Sequence, residues 1–463
     1  MDNSHEKSKP EKNTQQLITI ESVTAKGFGV GYINGFTVFV ENALPGDYLK
    51  IYMVKSKSRY GFGKIMEIIT PSPDRIPSPC PVSDRCGGCQ WQHADYKAQL
   101  GYKKQIVVDA LERIGGIKNP QVQDVMGMLK PTSYRNKAVF PIVPANNDAG
   151  FAIGMFAPRS HRIVAVDHCL IQHPAHVDIL KVIKKYMRRH NITAYNETSH
   201  KGLMRFVMVR TSLATKEIMV VLTINGQGLK MEDRLAEDLE AVGVTTMVVS
   251  PNTQRNNLIL GETCRTVSGS GFIIERLGSI SYQISAQSFF QVNPIQAKGL
   301  YELALRQANL NKNKTVIDAH VGAGGVSLYG AAQAKSILGV DIVKAAIEDG
   351  RLNAQRNDIK NMKFQTAAAE AFIPKLLAED PEAIPDIIFL DPPRKGCEPG
   401  LAAAIIQAKI KEIVYISCDP ATFARDVKEL VEGGYTLGQV EPVDMFPHTG
   451  KVEVTAKLTY TGE

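Results

Sequence analysis

The chain has 463 residues, of which 44% are hydrophobic, and it carries a formal net charge of +7. This length predicts about three domains of roughly 150 residues each, and the mild basicity permits an anionic partner without requiring one. The polar first residues show no secretory signal, and no apolar run reaches about 18 residues, so we expect neither secretion nor a membrane span. The seven cysteines then indicate a reducing cytoplasm, where close cysteine spacing favours a metal or catalysis over disulfides.

The first segment predicts a short tail followed by a small β-barrel. Residues 1–13 are polar and charged, and we expect them to be disordered. Residues 14–72 form short strand-like runs broken by glycines, the pattern of a small five-stranded barrel, and residues 70–73 are a predicted linker. Lysines alternate here with Tyr52, Tyr60 and Phe62, which suits single-stranded nucleic acid through charge and base stacking. The alternative is an edge strand that lysines protect from aggregation.

A group of cysteines opens the next segment. Cys80, Cys86 and Cys89 fall within ten residues, and the glycines at 87 and 88 let the backbone turn so that Cys86 and Cys89 can share one centre. Cys169 is the natural fourth ligand of a tetrahedral thiolate site. The spacing leaves an iron–sulfur cluster and a structural zinc both open, beside a chance group of buried thiols.

Residues 73–284 as a whole predict an α+β domain. Helical periodicity extends over residues 94–114, and we expect this helix to pack on the C-terminal domain. Arg135 and Lys137 precede a strand-like run and are candidate RNA contacts. Basic residues also crowd the predicted helix at 178–190, although such charge runs usually form solvated faces.

From residue 285 to residue 463 strands and helices alternate, which is typical of an α/β, doubly wound, Rossmann-like domain. A strand ending at Asp318 leads into a glycine turn that contains Gly322 and Gly325, and the next strand ends at Asp341. Such a turn lets the backbone approach a nucleoside, and the acid of the second strand can bind ribose hydroxyls. A dinucleotide enzyme is the competing interpretation of this pattern.

Two further strands of this domain end in reactive residues. Cys418 follows the apolar residues 413–416, and Asp391, which two prolines follow, comes after the apolar residues 387–390. Ligands of open α/β sheets bind at the carboxyl ends of strands, so we expect this thiol and this carboxylate on one rim. An acid followed by two prolines at this position looks like a nucleobase methyltransferase. A buried structural thiol is the alternative for Cys418.

Together these motifs resemble one known family. The cysteine set, residues 288–294 (Ser-Phe-Phe-Gln-Val-Asn-Pro) and residues 417–422 (Ser-Cys-Asp-Pro-Ala-Thr) are similar to those of the RNA uracil-5 methyltransferases that modify 23S rRNA. The resemblance covers nearly the whole chain after the tail. It implies that the barrel is a TRAM domain, that the methyl donor is S-adenosylmethionine and that the substrate is 23S rRNA. It also implies a [4Fe–4S] cluster on Cys80, Cys86, Cys89 and Cys169, whereas the tRNA-specific branch typically lacks both barrel and cluster.

The resemblance assigns roles to single residues as well. It implies that Cys418 is the nucleophile, that Glu453 is the general base and that Phe289 stacks on RNA or on the target base. Arg394, in the segment that follows Asp391, is a further candidate RNA contact. The implied cofactor contacts are Gln291, His320, Gly322, Gly325, Asp341 and Asp391.

These roles agree with the chemistry of uracil. C5 is a poor nucleophile, but addition of a thiolate at C6 turns the base into an enolate that can attack a sulfonium methyl group. A base must then remove the C5 proton so that the thiol can be eliminated. The target base must first leave its stack, at a cost of about a few kcal/mol.

Three positions depart from the family pattern. His320-Val321 replaces an aromatic residue followed by cysteine, residues 367–369 are alanines where a polar residue usually lies near the adenine, and Lys451 stands where histidine is common. We therefore expect weaker or differently oriented cofactor binding than in typical members.

The leading hypothesis is a cytoplasmic, monomeric enzyme that makes 5-methyluridine in 23S rRNA. Within the same class, the alternatives are a tRNA enzyme or one that modifies two rRNA sites. From a different class, the alternative is an iron–sulfur RNA-binding protein whose methyl-transfer site has weakened.

Overall fold

The computed structural model describes residues 9–462, so residues 1–8 of the expected tail lie outside the described part of the chain. The remaining tail residues contact the barrel. Pro10 is buried, and its carbonyl accepts a hydrogen bond from Ser56 Oγ at 2.8 Å. Asn13 N donates to Met53 O at 2.8 Å. The expected disorder is therefore wrong for residues 10–13.

Five strands close a barrel in the order β1-β2-β3-β5-β4. They are β1 (Gln15–Val23), β2 (Gly29–Ile33), β3 (Phe36–Val40), β4 (Tyr48–Ser56) and β5 (Tyr60–Thr70). Alternate side chains such as Val38, Val40 and Ile51 fill the interior, because successive residues of a strand point to opposite faces. The predicted five-stranded barrel is confirmed.

The predicted linker after the barrel is packed against it. Ser72 N donates to Asp47 Oδ1 at 2.8 Å, and the Arg75 guanidinium donates to both oxygens of the same carboxylate at 2.7 Å. Leu44 N is a further donor to Asp47, at 2.6 Å. This buried carboxylate therefore fixes the exit from the barrel.

Helix α1 (Tyr96–Arg113) follows, and it begins at Asp95, whose carboxylate accepts hydrogen bonds from the backbone of Lys97 and Ala98. Its apolar stripe, with Val107 and Leu111, is buried together with Phe423 and Val427 of the C-terminal domain. The helix therefore packs on that domain.

A seven-stranded sheet in the order β12-β11-β10-β9-β6-β7-β8 forms the central region. Its elements are β6 (Lys137–Pro144), β7 (Phe151–Phe156), β8 (Ile163–Ala165), α2 (His176–Arg189), β9 (Met204–Thr211), β10 (Ile218–Ile224), α3 (Glu232–Glu240), β11 (Thr246–Pro251) and β12 (Arg265–Ser268). Helices α2 and α3 cover one face of the sheet. The other face, with Met208, Met219 and Val221, packs on the hairpin β13 (Phe272–Leu277) and β14 (Ile280–Ser285) and on the C-terminal domain.

The C-terminal domain is a seven-stranded sheet in the order β17-β16-β15-β18-β19-β21-β20. Its elements are α4 (Pro294–Ala308), β15 (Thr315–Asp318), α5 (Gly325–Gly330), β16 (Ser336–Asp341), α6 (Lys344–Arg356), β17 (Met362–Thr366), α7 (Ala369–Glu379), β18 (Ile387–Leu390), α8 (Pro399–Ala408), β19 (Glu412–Ser417), α9 (Pro420–Glu432), β20 (Tyr435–Val443) and β21 (Glu453–Tyr460). Strands β15 to β19 are parallel, which confirms the doubly wound prediction, whereas β21 runs antiparallel between β19 and β20. The strand order reverses between β15 and β18, where open α/β sheets bind their ligands.

Among the helices of residues 9–462, none is both long and apolar enough to cross a bilayer.

Candidate active site

Cys418 lies at the carboxyl end of β19, in the turn that leads into α9. The strand is buried over residues 413–417, and α9 is capped by Asp419, whose carboxylate accepts hydrogen bonds from Ala421 N and Thr422 N. Pro420 occupies the first turn of the helix, where the missing N–H leaves no bond unmade. The half-buried thiol is therefore held between a rigid strand and a capped helix.

Glu453 is the first residue of β21 and is buried. Strands β19 and β21 are antiparallel, with Ser417 paired to Val454. The residue after Ser417 and the residue before Val454 therefore meet at the ends of two adjacent strands, which brings Cys418 beside Glu453. Burial raises the pKa of Cys418 to about 11, and the nearby carboxylates of Glu453 and Asp391 act in the same direction.

Arg394 opposes this effect from an exposed position after β18. Its guanidinium lowers the pKa of Cys418 by its charge and by a side-chain hydrogen bond, and it also lowers the pKa of Glu453. Burial nevertheless dominates at Glu453 and, with Asp391, raises its pKa to about 8. At neutral pH the isolated protein therefore holds a neutral thiol beside a largely neutral carboxyl group.

Two more acids, Asp391 and Asp318, extend the group formed by Cys418 and Glu453 in the direction of β15. Burial raises the pKa of Asp391 to about 7, and Asp318 raises it further. Burial also raises the pKa of Asp318 to about 6, although Ser327 Oγ donates to its carboxylate at 2.5 Å and His320 N donates at 3.1 Å. A cationic ligand bound between these acids would stabilise their ionised forms.

The turn after β15 has the geometry of a nucleoside pocket. Gly322 and Gly324 have φ angles of 53° and 107°, which favour glycine, and the space beside the Cα of Gly322 is open. Gly322 N donates to Asp341 Oδ2 at 3.0 Å, so the acid at the end of β16 fixes the turn. Asn353 Nδ2 donates to Ala323 O at 3.1 Å from the other side, just before Gly325 begins α5.

His320 lies in the same turn. Burial lowers the pKa of its ring to about 4, so the ring is neutral. Within the described part of the chain, its Nδ1 is buried without a hydrogen-bond partner. Such an atom lowers stability unless a ligand satisfies it. The turn, the open space and this nitrogen together fit the nucleoside part of S-adenosylmethionine.

The loop between β14 and α4 carries Phe289 and Gln291. The Phe289 side chain is 68% exposed, whereas Gln291 is buried. Arg210, itself buried, donates to Ala286 O at 3.3 Å and to Ser288 O at 2.6 Å. The loop is therefore fixed on the central sheet while it presents Phe289 to solvent.

Arg135 and Lys137 reach this region from the central domain. Asn136, between them, donates from its backbone to Val292 O at 2.9 Å and from its side chain to Gln291 O at 3.1 Å. Burial lowers the pKa of Lys137 to about 8, and the charges of Arg210 and Arg135 lower it further.

Lys451 lies close both to Arg135 and to the thiol of Cys418. Burial lowers its pKa, as do the charges of Arg394 and Arg135, whereas Cys418 and Glu453 raise it. The candidate nucleophile is therefore bordered by acids on the side of β15 and by cations on the side of the central domain. The cationic side suits phosphate groups.

The four cysteines form a separate group in the central domain. Cys86 and Cys169 pack around Ala157 and Val164, and Cys89 and Cys169 pack around Tyr134. Each of Cys86, Cys89 and Cys169 has its pKa raised by burial and by neighbouring thiols, which for all three include Cys80. The thiols are therefore neighbours.

Their surroundings fit a metal centre in chemistry but not in arrangement. Gly88 N donates to Cys86 Sγ at 3.4 Å and Gln92 Nε2 donates to Cys89 Sγ at 3.6 Å, contacts that suit thiolate ligands. Across residues 9–462, however, no group of three or more cysteine, histidine, aspartate or glutamate residues has the arrangement of a metal site. The cluster therefore stays a prediction.

Sequence reasoning missed Tyr301 on α4. Burial raises the pKa of its hydroxyl, and Asp391, Asp318 and Glu453 raise it further, so this tyrosine lies close to all three acids. Its position in an apolar helix gave no signal that could separate it from an ordinary core residue.

Sequence reasoning also missed the pair formed by Lys103 and Asp444, whose side chains are both inaccessible to solvent. Tyr96 donates its hydroxyl to the same carboxylate at 2.7 Å. Lys103 lies four residues before Val107, on the predicted apolar stripe of α1. A charge in that position was the available signal of a buried ion pair.

A family model described as tRNA (Uracil-5-)-methyltransferase matches residues 95–460. The chain belongs to the RNA uracil-5 methyltransferase family. A TRAM domain model matches residues 10–66 of this methyltransferase. An uncharacterised RNA methyltransferase of Halalkalibacterium halodurans is 43% identical to it over 449 residues, which are 96% of this chain and 97% of that protein. Another, of Clostridium tetani, is 41% identical over 456 residues, 98% of each chain.

A solved structure agrees with the fold and with the cofactor. The tRNA (uracil-54, C5)-methyltransferase of Pyrococcus abyssi, in complex with S-adenosyl-L-homocysteine, superimposes on this methyltransferase with a TM-score of 0.75. The two are 27% identical, and the match covers 95% of this chain and 98% of that one. The methyltransferase is therefore dependent on S-adenosylmethionine, and the predicted family, fold class and enzyme class are confirmed.

Proposed function

We propose that the methyltransferase modifies C5 of a uridine in 23S rRNA through a covalent bond between Cys418 and C6 of the base. The observation that supports this most is the pairing of Ser417 with Val454, because it brings a thiol beside a buried carboxyl group at one end of the sheet. The enzyme is proposed to act as a monomer in the cytoplasm.

One set of residues binds the cofactor. S-adenosylmethionine, when bound, supplies an electrophilic methyl group on a positively charged sulfur. Gly322, Gly325, Asp341 and His320 hold its nucleoside, and Gln291 lies at the cofactor. Asp391 contacts the cofactor or the target base. Its ionised form would stabilise the positive charge on the sulfur of the bound cofactor.

Cys418 begins the reaction as a thiolate, which the guanidinium of Arg394 stabilises. Its sulfur bonds to C6 while the electron pair of the C5–C6 double bond moves toward O4. C5 would then bond to the methyl carbon of the bound cofactor as the bond from that carbon to the sulfonium sulfur breaks, and the sulfur would leave as a neutral thioether. Glu453 removes the C5 proton, the C5–C6 double bond forms again, and the bond from C6 to the Cys418 sulfur breaks. Glu453 then releases the proton that it took from C5 to solvent.

The cations and the exposed ring hold the RNA. The phosphates next to the extruded uridine bind to three cations, which are Arg135, Lys137 and Lys451. Phe289 stacks on the uridine or on a neighbouring base, since its exposed ring is held by a fixed loop.

A mechanism-based adduct tests the covalent step. RNA that contains 5-fluorouridine has no C5 proton to remove, so the enzyme should form a complex that survives a denaturing gel in the presence of S-adenosylmethionine. Cys418→Ala should form none. Cys397→Ala, which removes a half-buried thiol of the same domain, is the matched control and should form it normally. An adduct in the Cys418→Ala variant would contradict the proposal.

The choice of 23S rRNA rests on the resemblance of the barrel and the four cysteines. A second candidate substrate is tRNA, favoured by the match of 95% of this chain to a tRNA (uracil-54, C5)-methyltransferase. Nucleoside mass spectrometry of 23S rRNA and tRNA, from cells with and without the gene, separates the two. Loss of 5-methyluridine from 23S rRNA alone supports the first substrate, and loss from tRNA alone supports the second.

We further propose that Cys80, Cys86, Cys89 and Cys169 hold a structural [4Fe–4S] cluster. Protein purified without oxygen should then contain about four irons and four sulfides per chain. Cys89→Ser should lose the iron and Cys264→Ser, which removes a thiol outside the group, should keep it. Stoichiometric zinc without iron would contradict this assignment.

A further inference from the structure

The loop between β18 and α8 carries Arg394 to the thiol of Cys418. The Arg394 side chain is exposed, yet it makes a side-chain hydrogen bond to Cys418. Gly396 N donates to Pro393 O at 2.8 Å, which closes a tight turn with Arg394 at its second position. An exposed arginine has many rotamers, so its bond to one half-buried thiol depends on how firmly this turn is held.

Asp426, on α9, binds the far end of the same loop. Its Oδ2 accepts hydrogen bonds from Cys397 N at 2.8 Å and from the Tyr415 hydroxyl at 2.5 Å. Asp426 and Tyr415 are both buried. Hydrogen bonds to an ionised acceptor are strong, and the two donors fix the orientation of this carboxylate. The residue that ends the turn region is therefore tied to β19 and to α9.

Arg425 adds contacts from the surface. Its Nε and Nη2 donate to Asp426 Oδ1 at 2.8 and 2.6 Å. Nη2 also donates to Lys395 O at 2.9 Å and to Cys397 O at 3.3 Å. One guanidinium therefore bonds to the backbone on both sides of Gly396, which has a φ angle of 80°. A Cβ on Gly396 would come within 2.4 Å of Arg425 Nη2, so the contact is close.

Tyr415, Arg425 and Asp426 together form a clamp on residues 395–397. Tyr415 precedes Cys418 on β19, and Arg425 and Asp426 follow it on α9. The strand and the helix that hold the nucleophile thus also carry the groups that hold the turn of Arg394. The clamp therefore fixes the distance between the turn and the thiol.

We infer that Asp426 and Arg425, supported by Tyr415, are positioning residues that hold the Arg394 guanidinium against the Cys418 sulfur. A positive charge held there favours the thiolate over the thiol, whereas an unrestrained arginine would be hydrated away from it. The clamp acts through Arg394 and not on the target base. This inference rests on the proposed role of Cys418, but the placement of Arg394 can be measured in the protein without RNA.

The reactivity of Cys418 tests this placement. The full-length protein, without RNA or cofactor, is treated with iodoacetamide at about pH 8, and mass spectrometry follows modification of the peptide that contains Cys418. The thiolate is the nucleophile, so the rate reports the ionised fraction. The variants are Arg394→Gln, Asp426→Asn and Arg425→Gln, and each clamp variant is also combined with Arg394→Gln.

Arg394→Gln should slow the alkylation of Cys418 about three-fold. Loss of one nearby positive charge lowers the thiolate fraction about ten-fold, whereas the more basic thiolate that remains is about three-fold more reactive. Asp426→Asn should slow the reaction to nearly the same extent. Arg425→Gln should slow it about two-fold, since Asp426 still binds Cys397 N, and because the Arg425 side chain is 51% exposed this variant should fold normally.

Arg351→Gln is the matched control and should react like the wild type. The exposed Arg351 also donates to a backbone carbonyl of the C-terminal domain, Phe364 O, at 2.9 Å. A clamp that only stabilised the loop would expose the half-buried thiol when broken, which would speed alkylation instead of slowing it.

The double variants decide whether the clamp acts through Arg394. In the Arg394→Gln background, Asp426→Asn and Arg425→Gln should cause no further slowing, because the group that they position is gone. Unchanged or faster alkylation of Cys418 in both single clamp variants would overturn the inference. A full further slowing in the double variants would overturn it as well.

These outcomes are distinguishable from failure of the proposed function. If Cys418→Ala still forms an adduct with 5-fluorouridine RNA while Asp426→Asn slows alkylation of Cys418, the proposed nucleophile is wrong and the placement of Arg394 by the clamp stands. If the adduct requires Cys418 while both clamp variants are alkylated like the wild type, the proposed function stands and this inference fails.

Discussion

Lys103 and Asp444 form an ion pair in which neither side chain is accessible to solvent. The pair joins α1 to the segment between β20 and β21. Lys103 Nζ also donates to Phe446 O at 3.0 Å, and the residues from Phe446 onward lead directly to Lys451 and Glu453. A helix from the first quarter of the sequence thereby supports the segment that leads to the proposed base.

Replacing Lys103 with methionine should destabilise the protein strongly, because it leaves a buried carboxylate without its partner. We expect a loss of about 3–5 kcal/mol in the free energy of unfolding, measured by urea denaturation. Lys104→Met is the matched control, since Lys104 pairs with an Asp124 side chain that is 95% exposed. That change should cost at most about 1 kcal/mol. Equal effects of the two substitutions would show that the buried pair has no special role.

The rate of methylation should depend on pH through two groups. Glu453 must be ionised to accept a proton, and its pKa is raised to about 8, so its active form is lost as the pH falls below that value. Cys418 must also ionise, and burial raises its pKa to about 11. A plot of log kcat/KM against pH should therefore rise with a slope of about two below pH 8 and about one above it. A profile that is flat between pH 6 and 8 would contradict these assignments.

Glu453→Gln should stop the reaction after methyl transfer. The amide keeps the size of the side chain but cannot take the C5 proton, so the methylated base should stay bonded to Cys418. Ordinary RNA, without fluorine, should then give a gel-stable complex. Glu441→Gln, which changes a carboxyl group on β20, should release its product normally. Free 5-methyluridine RNA formed at the wild-type rate by Glu453→Gln would rule out this role.

The histidine at position 320 should bind the cofactor less tightly than a larger ring would, because it stands where the family usually has another aromatic residue. His320→Tyr restores the aromatic residue that the family usually has. We expect it to lower the Kd for S-adenosylmethionine by about five-fold, equivalent to about 1 kcal/mol, which is typical of an added aromatic contact. Isothermal titration calorimetry measures the change. The same Kd in both proteins would remove the expectation of altered cofactor binding.

The sequence predicted the parts of the fold that local pattern determines. The barrel followed from short strands and glycines, and the nucleoside turn followed from a strand, a glycine run and Asp341. Gly29 and Gly31 do not break strands but lie within β2, where a Cβ on Gly31 would come within 2.2 Å of Thr19 O. Close packing of the neighbouring strand, which no local pattern reports, decides this position.

Long-range pairing explains what the sequence could not predict. The partner of Lys103 lies 341 residues later in the chain, and the antiparallel direction of β21 depends on a register that only the folded sheet defines. The role of Glu453 came from a family resemblance, since an acid at a strand start is usually solvated. Its burial beside Cys418 depends on contacts among β18, β19 and β21.

The position of β21 has a consequence during protein synthesis. A chain that the ribosome has made only as far as Lys451 already contains the thiol, the glycine turn and the barrel. It lacks the strand that pairs with β19 and carries the carboxyl group. Until β21 pairs, β19 and β20 lack the strand that lies between them. The proposed nucleophile and the proposed base therefore come together only when the last strand of the chain has entered the sheet.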